Sequence, residues 1–172
     1  MEPPDAATLP VRRSARLIIV DDAGRLLLYL NDMKHEVDLQ RLGRTDYWIT
    51  FVGGLDEGET FEAAAVRELR EETGWDTPVG PAIWWLQQVF PFSGKWLHAH
   101  ERYFLVNATH AEVSFDGMDV DERGYAQQAH WWTLAEMRET TELMMPFGFT
   151  KLADLLEPIL TGTVPSEVID LS

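Results

Sequence analysis

Two short apolar runs, Leu17-Ile18-Ile19-Val20 and Leu26-Leu27-Leu28-Tyr29-Leu30, are separated by Asp21-Asp22-Ala23-Gly24. The pattern predicts two strands joined as a hairpin, with Gly24 free to take a positive φ at the turn. Residues 31–47 are polar and mixed in charge and read as a loop that frames a pocket. An apolar stretch over 48–52 predicts a brief strand running into Gly53-Gly54. Further strands are expected at 83–90, 103–107 and 130–132, with short helices at 134–140 and 150–160, the latter stopping before Gly162.

The most regular segment is 61–73. Ala65, Val66 and Leu69 supply an apolar stripe, Thr60 is placed as an N-cap, and Gly74 stands where a glycine ends a helix. Strands arrive in runs, and helices are interspersed without regular strand-helix alternation. The fold class expected is therefore α/β (α+β), a mixed sheet packed between helices. The division expected is a flexible arm at 1–12, one domain at 13–162 and a tail at 163–172, without internal repeats.

Composition narrows the function classes. The 172 residues are 45% hydrophobic and 11% aromatic, ample for one core. Most of the seven Trp and eight Phe are expected to pack there. A net charge of −15, from 29 acidic and 14 basic residues, repels nucleic acid polymers and anionic membranes on average. It also opposes a phosphate ligand unless a bound cation reverses the local sign. The chain has no Cys, which excludes disulfides, thiolate metal sites and thiol nucleophiles. No stretch reads as a signal peptide or a membrane span, so a cytoplasmic location is expected.

The chemistry concentrates in Gly53-Gly54-Leu55-Asp56-Glu57-Gly58-Glu59 and Arg67-Glu68-Leu69-Arg70-Glu71-Glu72-Thr73-Gly74-Trp75. On a helix Glu68, Glu71 and Glu72 stand at i, i+3 and i+4, so their carboxylates share a side. Hard oxygen ligands grouped in this way suit Mg²⁺ or Mn²⁺. The same spacing equally describes a solvated, charge-rich face in which Arg67 and Arg70 pair with the acids. The local pattern alone does not decide between the two.

Written as Gx5Ex7REUxEExGU, with U a bulky apolar residue, residues 53–75 fill every fixed position of a pattern that resembles the Nudix box. Trp48-Ile49-Thr50-Phe51-Val52 resembles the strand that precedes the box in that family. His100-Glu101-Arg102-Tyr103-Phe104-Leu105-Val106 and His130-Trp131-Trp132-Thr133-Leu134-Ala135-Glu136-Met137 resemble later segments, so the likeness covers most of 15–160. One departure is Phe51-Val52, where many relatives carry Pro-Gly.

The resemblance implies a Nudix-type α/β/α sandwich and a hydrolase that cleaves the diphosphate linkage of a nucleoside diphosphate joined to another moiety. Nucleotide sugars, dinucleotides, ADP-ribose and nucleoside triphosphates are the candidates. It implies Mg²⁺ or Mn²⁺ on Glu68, Glu71 and Glu72 with the Gly53 carbonyl, and a Glu59–Arg67 ion pair that orients them. The general base comes from the box in some members and from a later loop in others. Here Glu68 is preferred, then Glu122, with Asp121 and Glu101 weaker; a solvated acidic turn explains Glu122 as well.

Specificity lies outside the box. Residues 88–93 faintly resemble NADH-cleaving members, and Pro91 falls about where ADP-ribose-cleaving members carry a proline, but an edge strand closed by a Pro-containing turn explains both. Trp48, Phe90 or Trp96 could stack on a base, with core packing favoured for each. RNA decapping is disfavoured because the sequence shows no sign of a basic surface. A catalytically silent sensing module on the same fold is the rival class, and the intact acidic set argues against it. An isoprenoid isomerase would need a Cys that the chain lacks. No membrane partner is expected, and a homodimer is left open.

Overall fold

The computed structural model describes residues 3–32, 45–92, 94–108, 113 and 126–172. A 3-10 turn at Ala6–Thr8, capped by Asp5, precedes β1 (Val11–Val20) and β2 (Leu26–Asp32). Between these strands Gly24 takes φ 71°, and the Asp21 carboxylate accepts from the Ala23 and Arg25 N–H groups, both at 2.9 Å. Then come β3 (Asp46–Ile49), β4 (Phe51–Gly54), α1 (Phe61–Thr73), β5 (Ala82–Phe92), β6 (Lys95–Asn107) and β7 (Ala126–Trp132). The chain closes with α2 (Leu134–Glu139), β8 (Met144–Met145), α3 (Phe149–Leu160) and β9 (Ile169–Asp170).

The described strands form one mixed sheet in the order β8-β3-β2-β1-β6-β5-β9, with β4 also on β1 and β7 also on β2. β1 runs parallel to β6 and antiparallel to β2 and β4. Alternate residues of the central strands enter two separate cores. Ile18, Val20, Leu26 and Leu28 pack with Met137 of α2 and with Leu152 and Leu156 of α3. Leu17, Ile19, Leu27 and Tyr29 pack with Phe61, Ala64, Ala65 and Leu69 of α1. Both faces are covered by helices, which is why these strands read as unbroken apolar runs and not as alternating ones.

Several elements differ from expectation for identifiable reasons. The stretch at 48–52 is two strands broken at Thr50, so β3 pairs with β2 and β8 while β4 pairs with β1. Phe51-Val52, in place of Pro-Gly, extends β4 opposite Leu17 and Arg16, and Phe51 packs on Tyr29 with ring centroids 5.1 Å apart. β6 begins eight residues before the expected strand, because its polar positions His98, His100 and Arg102 break the hydropathy signal while still pairing along β5. Pro91 lies within β5, beyond the reach of β9, so among the described residues no strand on that side needs its missing N–H. The segment set aside as a tail supplies β9, where Leu171 donates its N–H to the Trp85 carbonyl at 2.8 Å.

Candidate active site

Helix α1 starts and stops where local chemistry directs it. Thr60 Oγ1 accepts from the Ala63 N–H at 3.1 Å. At the other end Gly74 adopts the left-handed conformation at φ 76° and donates to the Arg70 carbonyl at 2.9 Å. The buried stripe is Phe61, Ala64, Ala65, Glu68, Leu69, Glu72 and Thr73, whereas Val66, expected within it, is 51% exposed. Two carboxylates therefore occupy positions that the helical period assigns to the core. Glu68 is 5% and Glu72 1% exposed, while Glu71 turns outward. Burying two acids costs several kcal/mol unless compensating charge or hydrogen bonds accompany them.

For Glu68 the compensation is Arg67, whose fork gathers the whole box. Its Nε and Nη2 donate to the two Glu59 oxygens at 3.0 and 2.8 Å, and Nη2 also reaches the Gly54 carbonyl at 2.8 Å. Its Nη1 donates to Glu68 Oε1 at 2.6 Å and to Glu71 Oε2 at 3.0 Å. Glu59 Oε2 further accepts from the Asp56 N–H at 2.9 Å. The Arg67 hydrogen bonds, with the Asp56 N–H second, hold the Glu59 carboxyl down at about 2. The same contacts, Glu59 foremost, raise Arg67 above its ordinary value.

Gly53 faces α1 as Ala15, its partner on β1, does. A Cβ built on it would overlap the Glu68 carboxyl group, so only glycine lets strand and carboxylate approach this closely. Sequence reasoning expected Gly53 and Gly54 to bring the backbone close to a metal or phosphate, whereas here the Gly54 carbonyl accepts from Arg67; it passed over Asp56, whose N–H completes the clasp and whose place in the loop between Gly53 and Glu59 was the available signal.

The other candidates separate from this cluster. Glu122 and Asp121 lie outside the described residues. Glu101 alternates with Tyr103 onto the face opposite α1, where it pairs with Arg16 Nη2 at 2.7 Å and accepts from the Tyr103 hydroxyl at 3.2 Å. Trp48 is 5% exposed and packs edge-on against Trp132, ring centroids 5.1 Å apart, in the same opposite core. A concavity of about 350 Å³ beside them, lined in part by Asp46, His130 and Glu142, also lies away from the box carboxylates.

Among the described residues no three His, Asp or Glu side chains form a ready-made metal cluster. What fits a divalent cation is the donor chemistry: hard carboxylate oxygens on two buried positions, one of them in close contact with the backbone of Gly53.

The described sheet is thus sandwiched between helices, with an acidic helix anchored to a glycine loop. Residues 10–150 match the NUDIX domain family, and the chain belongs to it. An RNA pyrophosphohydrolase of Mesorhizobium japonicum is 28% identical over 152 residues, spanning 83% of this chain and 86% of that protein. A dihydroneopterin triphosphate diphosphatase of Escherichia coli is 39% identical over 51 residues, 30% of this chain and 34% of that one. The solved structure of the E. coli dihydroneopterin triphosphate pyrophosphohydrolase superimposes with a TM-score of 0.59 at 16% identity, covering 87% of this chain and 94% of that one. The chain is a Nudix hydrolase of mixed α and β structure. Members of this family generally use a divalent metal and act on small nucleotide-like substrates. Among the described residues no helix is long and apolar enough to cross a membrane.

Proposed function

We propose that the chain hydrolyses a phosphoanhydride bond in a nucleotide-like compound with Mg²⁺ or Mn²⁺ held by Glu68 and Glu72, with Glu71 and the Gly53 carbonyl completing the set. The observation that carries this reading is the pair of carboxylates buried on the core stripe of α1, one of them lying where a Cβ on Gly53 would stand. A fold gains nothing in stability from two acids there; a cation bound between them and a phosphate gives them a use. When bound, that ion neutralises charge on the phosphate oxygens and lowers the pKa of water.

The chain's own residues do the positioning. Arg67 ties the 54–59 loop to α1 and holds Glu68 at Gly53, a positioning role shared with Glu59. We assign Glu68 as the acceptor of the proton from the attacking water, with Glu122 as the alternative. The names of two relatives, an RNA pyrophosphohydrolase and a dihydroneopterin triphosphate diphosphatase, each point to phosphates carried on a larger group, and support a substrate of that form.

Phosphate release should be measured with Mg²⁺ or Mn²⁺ over nucleoside triphosphates, dihydroneopterin triphosphate, a 5′-triphosphorylated oligoribonucleotide, ADP-ribose, NADH and nucleotide sugars. Activity is expected on at least one, abolished by EDTA and reduced roughly 10²-fold or more in Glu72→Gln. Undiminished turnover by that variant would refute the carboxylate assignment. Silence across the panel would favour a ligand-sensing module.

A further inference from the structure

The chain contains no run of basic residues, yet the parallel register of β1 and β6 assembles one in space. Arg13 stands opposite His100, and Val11 opposite His98. By alternation Arg13, His98, His100 and Arg102 all face the side of the sheet that α1 covers. The two guanidinium groups converge on one ring: Arg13 lies 4.7 Å and Arg102 5.1 Å from the centroid of Phe61, with Arg102 also 5.5 Å from that of Trp85. His98 and His100 meet with their Nε2 atoms 3.1 Å apart, and His100 packs edge-on against Trp85.

Four groups able to carry positive charge thus share one strip of a chain whose net charge is −15. Two arginines on one ring repel each other, and among the described residues the carboxylate paired with them is Glu62, 3.7 Å from Arg102 Nη1 across an exposed gap. Among the described residues the buried Arg102 Nε has no hydrogen-bond partner. The two imidazoles are linked to each other and to the N-terminal turn. His98 Nδ1 lies 3.1 Å from the Ala6 carbonyl, which requires its proton there, and one of the two facing Nε2 atoms donates to the other across 3.1 Å. Burial lowers the His100 pKa, and the neighbouring His98 and Arg13 lower it further. The strip also adjoins the box, since the Arg13 carbonyl accepts from the Leu55 N–H at 3.1 Å.

We propose that Arg13, His98, His100 and Arg102 form an anion subsite that holds a phosphate of the substrate outside the bond cleaved at the box. The inference rests on the hydrolase reading above and deepens it: the substrate carries a further phosphate, either on a free nucleotide or at the 5′ end of an RNA. An oxyanion supplies an acceptor for the Arg102 Nε that has none among the described residues, and a counter-charge for the Arg13 guanidinium beside it.

The test titrates inorganic pyrophosphate, without divalent metal, into the full chain while recording its imidazole NMR signals. Saturable shifts of His98 and His100 are expected, with His130 on the far face unmoved. Affinity should fall about 10-fold in Arg13→Gln or Arg102→Gln, and Arg102→Lys, which keeps the charge, should retain most of the response. Glu72→Gln should keep the imidazole response while losing turnover, which separates the subsite from the box. Silent His98 and His100 signals in an active enzyme would overturn the subsite, and responsive signals without turnover on any substrate would overturn the hydrolase reading alone. A KM raised by Arg102→Gln for the triphosphorylated oligoribonucleotide but not for nucleoside triphosphates would identify RNA as the source of the phosphate, and the reverse a free nucleotide.

Discussion

Arg67 and Glu59, eight residues apart, meet as a two-pronged pair, Nε to Oε1 at 3.0 Å and Nη2 to Oε2 at 2.8 Å. The pair crosses from the box loop to the middle of α1, and the remaining nitrogen of the same fork rests on Glu68. A planar guanidinium can satisfy this geometry whereas an ammonium cannot, since a point charge on a flexible stem offers no parallel donors. Arg67→Lys should therefore lower stability by about 1–3 kcal/mol and reduce kcat more than it changes KM. Urea denaturation beside steady-state kinetics checks both.

The same pair makes stability pH-dependent in a defined direction. Glu59 is lowered from 4.5 to about 2, so its contribution is fully present above about 4.5 and is lost as pH falls through about 2. The difference corresponds to at most about 3 kcal/mol. Glu59→Gln should flatten the acid limb of the stability curve in that window while leaving its slope near neutrality unchanged. A chemical-denaturation series from pH 5 to the lowest pH at which the chain stays folded measures it, and parallel curves for both proteins would dismiss the linkage.

Gly53→Ala inserts a methyl group into the Glu68 carboxyl position. The carboxylate must swing aside or the strand must shift, and either outcome displaces a proposed ligand. Turnover should drop roughly 10²-fold, in line with losing one preorganised group, with a modest fall in Tm. Gly54→Ala is the control, because the nearest atom to an added Cβ there is the Arg13 carbonyl oxygen at 4.0 Å.

On the opposite face Arg16 and Glu101 form a buried pair at 2.7 Å, extended to the Thr50 hydroxyl at 3.2 Å. Glu101→Ala leaves Arg16 charged and buried and should cost about 3–5 kcal/mol, while Arg16→Met with Glu101→Leu should be close to neutral. Equilibrium unfolding of the single and double variants distinguishes these outcomes. If Glu101 instead took part in chemistry, the double variant would lose turnover while keeping its stability.

Much of the box was legible from the chain because its geometry is local. The ends of α1 follow from Thr60 and Gly74, within one turn of the helix they bound, and the spacing of Glu59 from Arg67 follows from the box pattern. The split among the three acids was not legible. Spacing places Glu68, Glu71 and Glu72 on neighbouring positions, but only the sheet beneath α1 determines that Glu68 and Glu72 are buried while Glu71 and Val66 face water. Likewise β9 has only two residues and carries little pattern of its own; it exists because Trp84 and Trp85 offer an unpaired edge.

Taken alone, the order of residues determined the family pattern, the acidic helix with its caps, the two apolar strands and the hairpin turn at Gly24. Each of these arises from interactions between near neighbours or from the period of a single element. Tertiary structure decided which distant residues share a face: Arg16 with Glu101, and Arg13 beside His100. Pairing of β1 with β6 joins positions more than eighty residues apart, and a one-residue change of register would send every one of those side chains to the other face. Nothing in the local chemistry of either strand specifies that register; the packing of the whole sheet between its helices does.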